Sequence, residues 1–257
     1  MSLLYIGQQL SIYVGLFLFT VGLIGNGINI FIFLNKQSYR TTPCIFYFLI
    51  GSISNTIFVL LGLANRIQVV VYGSDFSSVS TVWCKVRLFL TTASIIISLT
   101  CLCFSAIDQF LVTSKSRSIR NLSRIKSAHR IVFFAVSFWL LHGIMMFLFY
   151  DVSPIRKLCV IVNPTFSVYA VIYVLFFWCI IPLLIITIFG LLTYRNIQKT
   201  LILVDRNVDR QLIKMTLITA NVIKNNDQKL IESFIGSMAS LLYNVFNCVC
   251  PSILFFR

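Results

Sequence analysis

The stretch Thr81–Thr113, with the sequence TVWCKVRLFLTTASIIISLTCLCFSAIDQFLVT, decides the fold of this chain. Its charged side chains are Lys85, Arg87 and Asp108, and they lie near its two ends. The uncharged part between Arg87 and Asp108 is about 20 residues long, which is the length that a helix needs to cross the hydrocarbon layer of a membrane. The stretch therefore predicts a membrane-spanning helix.

Six more apolar runs surround this one, and they fall at 11–34, 44–71, 131–150, 166–193, 212–223 and 230–256. We expect helices throughout, because the alternative, a closed barrel, needs strands of about ten residues with strict alternation of apolar and polar side chains. The sequence lacks such alternation. The pattern predicts an all-α fold, a transmembrane seven-helix bundle with a shortened sixth helix, which forms one domain over residues 1–257.

The composition excludes the soluble classes of protein. The chain has 58% apolar and only 11% charged residues, whereas ordinary soluble domains are about a quarter charged. The net charge of +14 would suggest a nucleic-acid partner if the Lys and Arg residues formed a soluble face. They lie between apolar runs instead, so we expect no nucleic-acid partner and predict that the lipid bilayer surrounds the chain.

The Lys and Arg residues in the connections predict the orientation. The connections 35–43, 114–130 and 195–211 hold twelve of them, whereas 72–80 and 151–165 hold two. Loops rich in Lys and Arg stay on the cytoplasmic side of a membrane. We therefore expect a multi-pass protein of the plasma membrane with its N-terminus outside.

The sixth run, 212–223, is the anomaly. Its twelve residues include Lys214, and they give only about 18 Å of helix, well short of a full span. We predict a truncated or strongly tilted element. If that element does not span, the run 230–256 could insert in the opposite direction and leave Arg257 outside.

Several residues recur at positions that one receptor family shares. Gly25 and Asn26 form a Gly-Asn pair in the first run, and Cys84 precedes Asp108 by 24 residues. Asp108 stands at the position of the Asp in the family's Asp-Arg-Tyr triplet. The remaining matches, in the family's order, are Trp139, Cys159 and Pro182. On these residues the chain resembles the rhodopsin-like (class A) G-protein-coupled receptors up to about residue 194, and among them the peptide receptors.

The resemblance implies a disulfide bond between Cys84 and Cys159. The family has one cysteine at the top of the third helix and its partner in the following outer loop. The predicted orientation independently puts both residues on the oxidising side, where disulfides persist. The alternative is a pair of free thiols, which peptide mapping under reducing and non-reducing conditions would reveal.

The resemblance assigns transducer coupling to Asp108, Gln109 and Phe110. Gln109 replaces the family's Arg, whose cation pairs with the acid and then engages the transducer, and Phe110 replaces Tyr. Gln is neutral and shorter than Arg. The sequence therefore predicts weakened coupling to the implied partner, a heterotrimeric G protein.

Four polar residues are assigned to the helix core by the same resemblance, and they are Asn26, Asn55, Ser98 and Asn247. A buried Asn amide can bridge neighbouring helices by hydrogen bonds. Asn55 stands where the family usually has Asp, so we expect any buried sodium site to be weak, because a carboxylate is the main anionic ligand of a hard cation. Residues 250–254, CPSIL, replace the family's Asn-Pro-x-x-Tyr.

Three cations lie toward the predicted outer side, namely Arg66, Lys85 and Arg87. Ionisable residues in a membrane run are costly and often mark functional sites. We expect them to bind a ligand carboxylate or an acidic peptide, and the alternative is that they extend to the lipid headgroups. A peptide is favoured over an amine, because the family's amine receptors carry an Asp where this chain has residues 87–91, RLFLT.

The sequence shows none of the common motifs of catalysis or metal binding. His129 and His142 are far apart and have no Cys or carboxylate at metal-ligand spacing, so we expect no metal site. The sequence has no Gly-rich phosphate loop, no Ser-His-Asp order and no pair of intramembrane carboxylates. We therefore expect neither an enzyme nor a cofactor.

Three functions follow from these features, and the leading one is a divergent rhodopsin-like receptor for an extracellular ligand. The second is a truncated isoform or decoy of such a receptor that does not signal, which Gln109 and the short sixth run favour. The third is a transporter or channel. It would need charged or broken helices near the midplane and an internal repeat, and the sequence shows neither.

Overall fold

The computed structural model describes residues 3–35, 42–72, 80–152 and 159–206. Five helices within them are long and apolar enough to cross a membrane, at Ile12–Asn35, Pro43–Leu63, Thr81–Thr113, Ile125–Phe149 and Pro164–Gln198. The chain is thus a multi-pass membrane protein by helix length and hydropathy, and the prediction of an all-α fold is confirmed to that extent. The sixth and seventh runs, 212–223 and 230–256, lie outside the described residues.

The elements overlap the five predicted runs that lie within the described residues. In chain order they are α1 (Leu3–Asn35), α2 (Pro43–Phe58), a π-helical segment (Val59–Leu63), α3 (Ala64–Tyr72), α4 (Thr81–Thr113), α5 (Arg117–Arg120), α6 (Ile125–Gly143), α7 (Met145–Phe149), β1 (Tyr150–Val152), β2 (Cys159–Ile161), α8 (Pro164–Tyr173), a second π-helical segment (Val174–Ile180) and α9 (Ile181–Arg206). α2, the first π-helical segment and α3 follow one another without a break and form one continuous helix. α8, the second π-helical segment and α9 form another.

The helix α4 lies at the centre of the described bundle. Five consecutive residues, 93–97, are buried. Successive residues of an α-helix point about 100° apart, so burial of five in a row means that α4 has neighbours on every side. Helices α2, α6 and α9 pack against it. A helix that is apolar all round is expected in such a position.

Glycines allow the close contacts between helices. A Cβ atom at Gly22 of α1 would lie 3.3 Å from Val59 Cγ2, and one at Gly62 would lie 2.8 Å from Thr91 Cγ2 of α4. Small residues of this kind let helix backbones approach each other in membranes. No described atom lies within 4 Å of such a Cβ at Gly25, so the close approach of α1 falls one turn before the predicted Gly-Asn pair.

The second π-helical segment, Val174–Ile180, precedes Pro182 of α9. Proline lacks an N–H group, and its ring clashes with the carbonyl group four residues earlier in an α-helix, here that of Trp178. A π-helical turn is one of the recognised ways in which a helix accommodates such a disruption. The wider turn therefore lies where the proline prevents α-helical hydrogen bonding.

A short antiparallel hairpin connects α7 to α8. Tyr150 of β1 lies opposite Ile161 of β2, and Val152 lies opposite Cys159. The sequence prediction treated residues 151–165 only as a connection, because strands of three residues are too short to show a periodic pattern. The strand β1 also packs against α4, so the hairpin brings Cys159 to the first turn of that helix.

Candidate functional site

The Cys84 end of α4 is tied to the β-hairpin by a disulfide bond. Cys84 lies in the first turn of α4, where its N–H donates to the Ser80 carbonyl oxygen at 3.0 Å. A disulfide bond joins it to Cys159 with the two Cα atoms 5.8 Å apart. The predicted pairing is confirmed, and it fixes the connection between α7 and α8 over the end of α4.

The three cations predicted to bind a ligand differ in their surroundings. Arg87 lies three residues after Cys84, on the same face of α4, and is only 9% exposed. Lys85 is half-buried. Arg66 belongs to α3, and its side chain lies outside the described residues. Burial of Arg87 inside the protein argues against the alternative in which this side chain extends to the lipid headgroups, and convergence of the three cations stays a prediction.

Asp108 lies near the other end of α4 and is only 4% exposed. Its Oδ1 atom accepts a hydrogen bond from Ser123 Oγ at 2.6 Å. The N–H of Cys44, in the first turn of α2, also faces this carboxylate, and the N-terminus of a helix favours negative charge. A hydrogen bond to a charged acceptor is about twice as strong as one between neutral groups. The Ser123–Asp108 bond therefore fastens the following connection to α4.

The connection between α4 and α6, residues 114–124, is folded back by its own hydrogen bonds, and we refer to it as the basic loop. Arg120 Nη1 donates to the carbonyl oxygens of Ser114 at 2.9 Å and Lys115 at 3.1 Å. The Ser123 N–H donates to the Arg120 carbonyl oxygen at 3.2 Å. These bonds hold Ser123 above Asp108. The cationic side chains of the loop are exposed, and they belong to Lys115, Arg117, Arg120 and Arg124.

The three residues predicted to couple to a transducer contact three different elements. Asp108 binds the basic loop. Gln109 Nε2 donates to Cys44 Sγ of α2 at 3.6 Å. The ring of Phe110 meets that of Phe189 in α9 edge to face, with centroids 5.5 Å apart. The triplet therefore joins α2, the basic loop and α9 at the end of the central helix.

A cavity of about 200 Å³ lies beside Asp108. It is bounded by the basic loop, the foot of α4 and the first turns of α2 and α6. Its lining is mostly apolar and includes Pro43, Tyr47, Phe104, Asp108, Leu122 and Arg124. Two of the lining residues are charged, one acidic and one basic, namely Asp108 and Arg124.

The polar residues assigned to the helix core differ in their contacts. Asn26 Nδ2 donates at 2.6 Å to a carbonyl oxygen one turn earlier in α1 itself. A Cβ atom at Gly51 of α2 would lie 3.8 Å from the Ser98 carbonyl oxygen of α4. Asn55, one turn beyond Gly51, is half-buried. Asn247 lies outside the described residues, so the set of four stays a prediction.

Two hydrogen bonds that the sequence did not reveal join α6 to its neighbours. Trp139 Nε1 donates to Thr100 Oγ1 of α4 at 2.9 Å. His142 Nε2 lies 2.6 Å from the Tyr169 hydroxyl of α8, and its ring stacks on Tyr173 with centroids 4.6 Å apart. In the sequence, these residues show only as polar groups within apolar runs. No sequence pattern indicates which polar residue of one helix bonds to which residue of another. No group of three His, Cys, Asp or Glu among the described residues could hold a metal ion.

No protein-family model matches the chain, and no curated protein matches it. The fold and the site therefore define a structural class alone. It is a multi-pass α-helical membrane protein whose central helix carries a disulfide bond at one end and a hydrogen-bonded carboxylate at the other.

Proposed function

We propose that the chain is a divergent rhodopsin-like G-protein-coupled receptor for an extracellular ligand, seated in the plasma membrane with its N-terminus outside. One observation carries the proposal. The Cys84–Cys159 bridge lies at one end of α4, and the buried Asp108 lies 24 residues later at the other end. The resemblance implied both features together, and they occupy one helix at the centre of the bundle.

The exposed cations of the basic loop support the proposed orientation. Lys115, Arg117, Arg120 and Arg124 are all exposed, as expected of side chains that meet water and anionic headgroups at the inner surface. The hairpin at the opposite end holds a disulfide bond, and such bonds persist on the oxidising side of the membrane. Charge and redox chemistry thus favour the same orientation.

The ligand-binding region of the proposed receptor is the Cys84 end of α4. Arg87 is buried there, beside the disulfide, and a buried guanidinium suits bidentate recognition of a carboxylate. Lys85 precedes it by two residues, and Arg66 lies in α3. Positive charge at these three positions favours an acidic peptide over an amine ligand.

The transducer-binding region is the Asp108 end. Residues 108–110 contact the basic loop, α2 and α9 at this end. Ligand binding would act through α4, because this helix contacts both regions and packs against α2, α6 and α9. Breaking the contacts of the triplet would open the inner surface to a heterotrimeric G protein.

A second function, a receptor-shaped protein that does not signal, is favoured by Gln109. The Gln109 amide donates a hydrogen bond to Cys44 Sγ at 3.6 Å, so this side chain contacts α2. It also lacks the cation that the family's Arg presents to a transducer. Such a protein would act as a truncated isoform or decoy that binds ligand without producing a second messenger.

The two functions are separated by a response assay. Cells that carry a promiscuous G protein would express the chain, the Gln109→Arg variant and the Arg87→Ala variant, and would receive panels of acidic peptides and of amines. We expect at least one acidic peptide to raise the second messenger. We expect Arg87→Ala to weaken its potency at least tenfold, since one lost charge-assisted hydrogen bond is worth about that factor.

The matched control for this assay is Arg87→Lys, which keeps the charge and should lose less potency. An N-terminal epitope verifies that each variant reaches the cell surface. A response seen only with Gln109→Arg would favour the non-signalling function. Equal silence of all surface-expressed variants toward both panels would contradict the receptor proposal.

A further inference from the structure

Ser123 combines a buried polar contact with a strongly basic setting. Its hydroxyl donates to Asp108 Oδ1 at 2.6 Å, and the side chain is half-buried. Arg120 lies three residues before it, and Arg124 and Lys126 lie one and three residues after it. Protein kinases distinguish their substrates partly by such charge patterns. A serine between cations, in a short connection, fits the acidic cleft of a kinase that selects basic sequences.

We propose that Ser123 is a phosphorylation site for a kinase of this kind, and that its phosphate releases the basic loop from α4. The inference rests on the proposed orientation, because kinases act in the cytoplasm. In the reaction the Ser123 oxygen attacks the γ-phosphorus of a nucleoside triphosphate. The bond from that phosphorus to the bridging oxygen breaks, the nucleoside diphosphate leaves, and the hydroxyl proton passes to the kinase's catalytic base.

The local backbone allows this serine to reach a kinase. Asn121 and Leu122, immediately before Ser123, form a turn and are exposed. Ser123 itself lies outside a helix, and α6 begins only at Ile125. A kinase needs to break the hydrogen bond between Ser123 and Asp108 and to open the turn around Ser123.

Phosphorylation reverses the sign of the interaction with Asp108. The serine hydroxyl is a donor, whereas a phosphate is an acceptor that carries a charge of about −1.5 to −2 at neutral pH. Asp108 is 4% exposed, and two negative groups in such a poorly solvated place repel each other strongly. The bond that fastens the loop would be replaced by repulsion.

The released phosphate has favourable partners within the loop itself. Arg120 and Arg124 are exposed and lie three residues before and one residue after Ser123, and Arg binds phosphate bidentately. The N-terminus of α6, two residues later, also favours negative charge. We therefore expect the loop to move off Asp108 and open the cavity that Leu122 and Arg124 line.

Ser118 provides a matched comparison for Ser123. It lies in the same loop, is exposed and has Lys115 three residues before it, but no hydrogen bond joins it to Asp108. If Ser123 is the regulated site, only the phosphorylation of Ser123 should depend on Asp108. Ser118 should respond to the kinase in the same way whatever residue occupies position 108.

The first experiment measures phosphorylation of the full-length chain in detergent micelles. A basic-directed kinase and ATP are added, and the modified residues are mapped by mass spectrometry for the parent chain, Asp108→Asn and Ser118→Ala. We expect phosphate on Ser123 and an initial rate about tenfold higher in Asp108→Asn, because the amide is a weaker acceptor than the carboxylate. Ser118→Ala should leave the rate at Ser123 unchanged.

The second experiment measures release of the loop. Ile107 lines the cavity, so the rate at which a maleimide labels an Ile107→Cys variant reports the opening. We expect Ser123→Glu to raise that rate about tenfold, whereas the neutral control Ser123→Gln should change it little. In an Asp108→Asn background the effect of Ser123→Glu should largely disappear, since the repulsion that drives it is gone.

Two outcomes would overturn the proposal. Absence of phosphate from Ser123 in both the parent chain and Asp108→Asn would exclude the site, and equal labelling of the Glu and Gln variants would exclude the release. Either outcome, with the basic loop mapped to the cytoplasm, refutes this inference alone. A basic loop mapped outside the cell would refute the proposed function as well.

Discussion

Replacing Cys84 with Ser should sharply reduce the amount of the chain at the cell surface and its thermal stability in detergent. The bridge to Cys159 closes a loop of 75 residues, and removing a native disulfide typically costs about 2–5 kcal/mol. The cost should be large here, because the bridge attaches the hairpin to the first turn of the central helix. Surface display of an N-terminal epitope and a thermal unfolding assay measure the two effects.

The control is Cys179→Ser, which changes a cysteine that forms no disulfide and should reduce surface display much less. Cys159→Ser should match Cys84→Ser, and the double variant should be no worse than either, since the two substitutions remove one shared bond. Additive losses in the double variant would show that the two cysteines act separately and would contradict the bridge.

Replacing Ser123 with Ala should be the most destabilising single change at the Asp108 end. The substitution leaves a carboxylate that is 4% exposed without the donor at 2.6 Å. Loss of a hydrogen bond to a buried charged group costs about 3 kcal/mol, most of it the desolvation of the group left behind. The thermal midpoint of the purified chain should fall accordingly.

The double variant Ser123→Ala with Asp108→Asn separates this explanation from simple loss of packing. A neutral amide costs less to bury than an unpaired carboxylate, so the double variant should be more stable than Ser123→Ala alone. Ser127→Ala, which alters a half-buried serine that lines the cavity, is the control and should have little effect. A double variant less stable than both single variants would mean that the hydrogen bond does not carry the energy.

The sequence predicted the helices because membrane thickness dictates their length. The run Thr81–Thr113 coincides with α4, since its uncharged part fills the hydrocarbon layer. The start of α6 at Ile125, before the predicted run at 131, was missed, because its first residues are polar and the prediction followed apolar residues alone. Likewise, α9 continues to Arg206, beyond the end of the predicted apolar run at residue 193.

The candidate site was predicted only where the resemblance supplied the pairing. Cys84 and Cys159 matched the two cysteines that the family pairs, and the disulfide bond is present. The bond from Ser123 to Asp108 depends on how the basic loop turns, which no periodicity encodes. The contact of Gln109 with Cys44 joins residues 65 positions apart in the chain. Side-chain contacts of this kind follow from the packing of α2 on α4, which the sequence alone does not specify.

The side of the membrane on which each end of α4 lies can be measured with inserted epitopes. A short epitope inserted within residues 73–79 and another inserted after Ser118 would be probed with antibody on intact and on permeabilised cells. We predict that the first epitope binds antibody on intact cells and that the second binds only after permeabilisation. Antibody binding to the Ser118 epitope on intact cells would contradict the receptor orientation, the cytoplasmic role of Asp108 and the phosphorylation of Ser123 together.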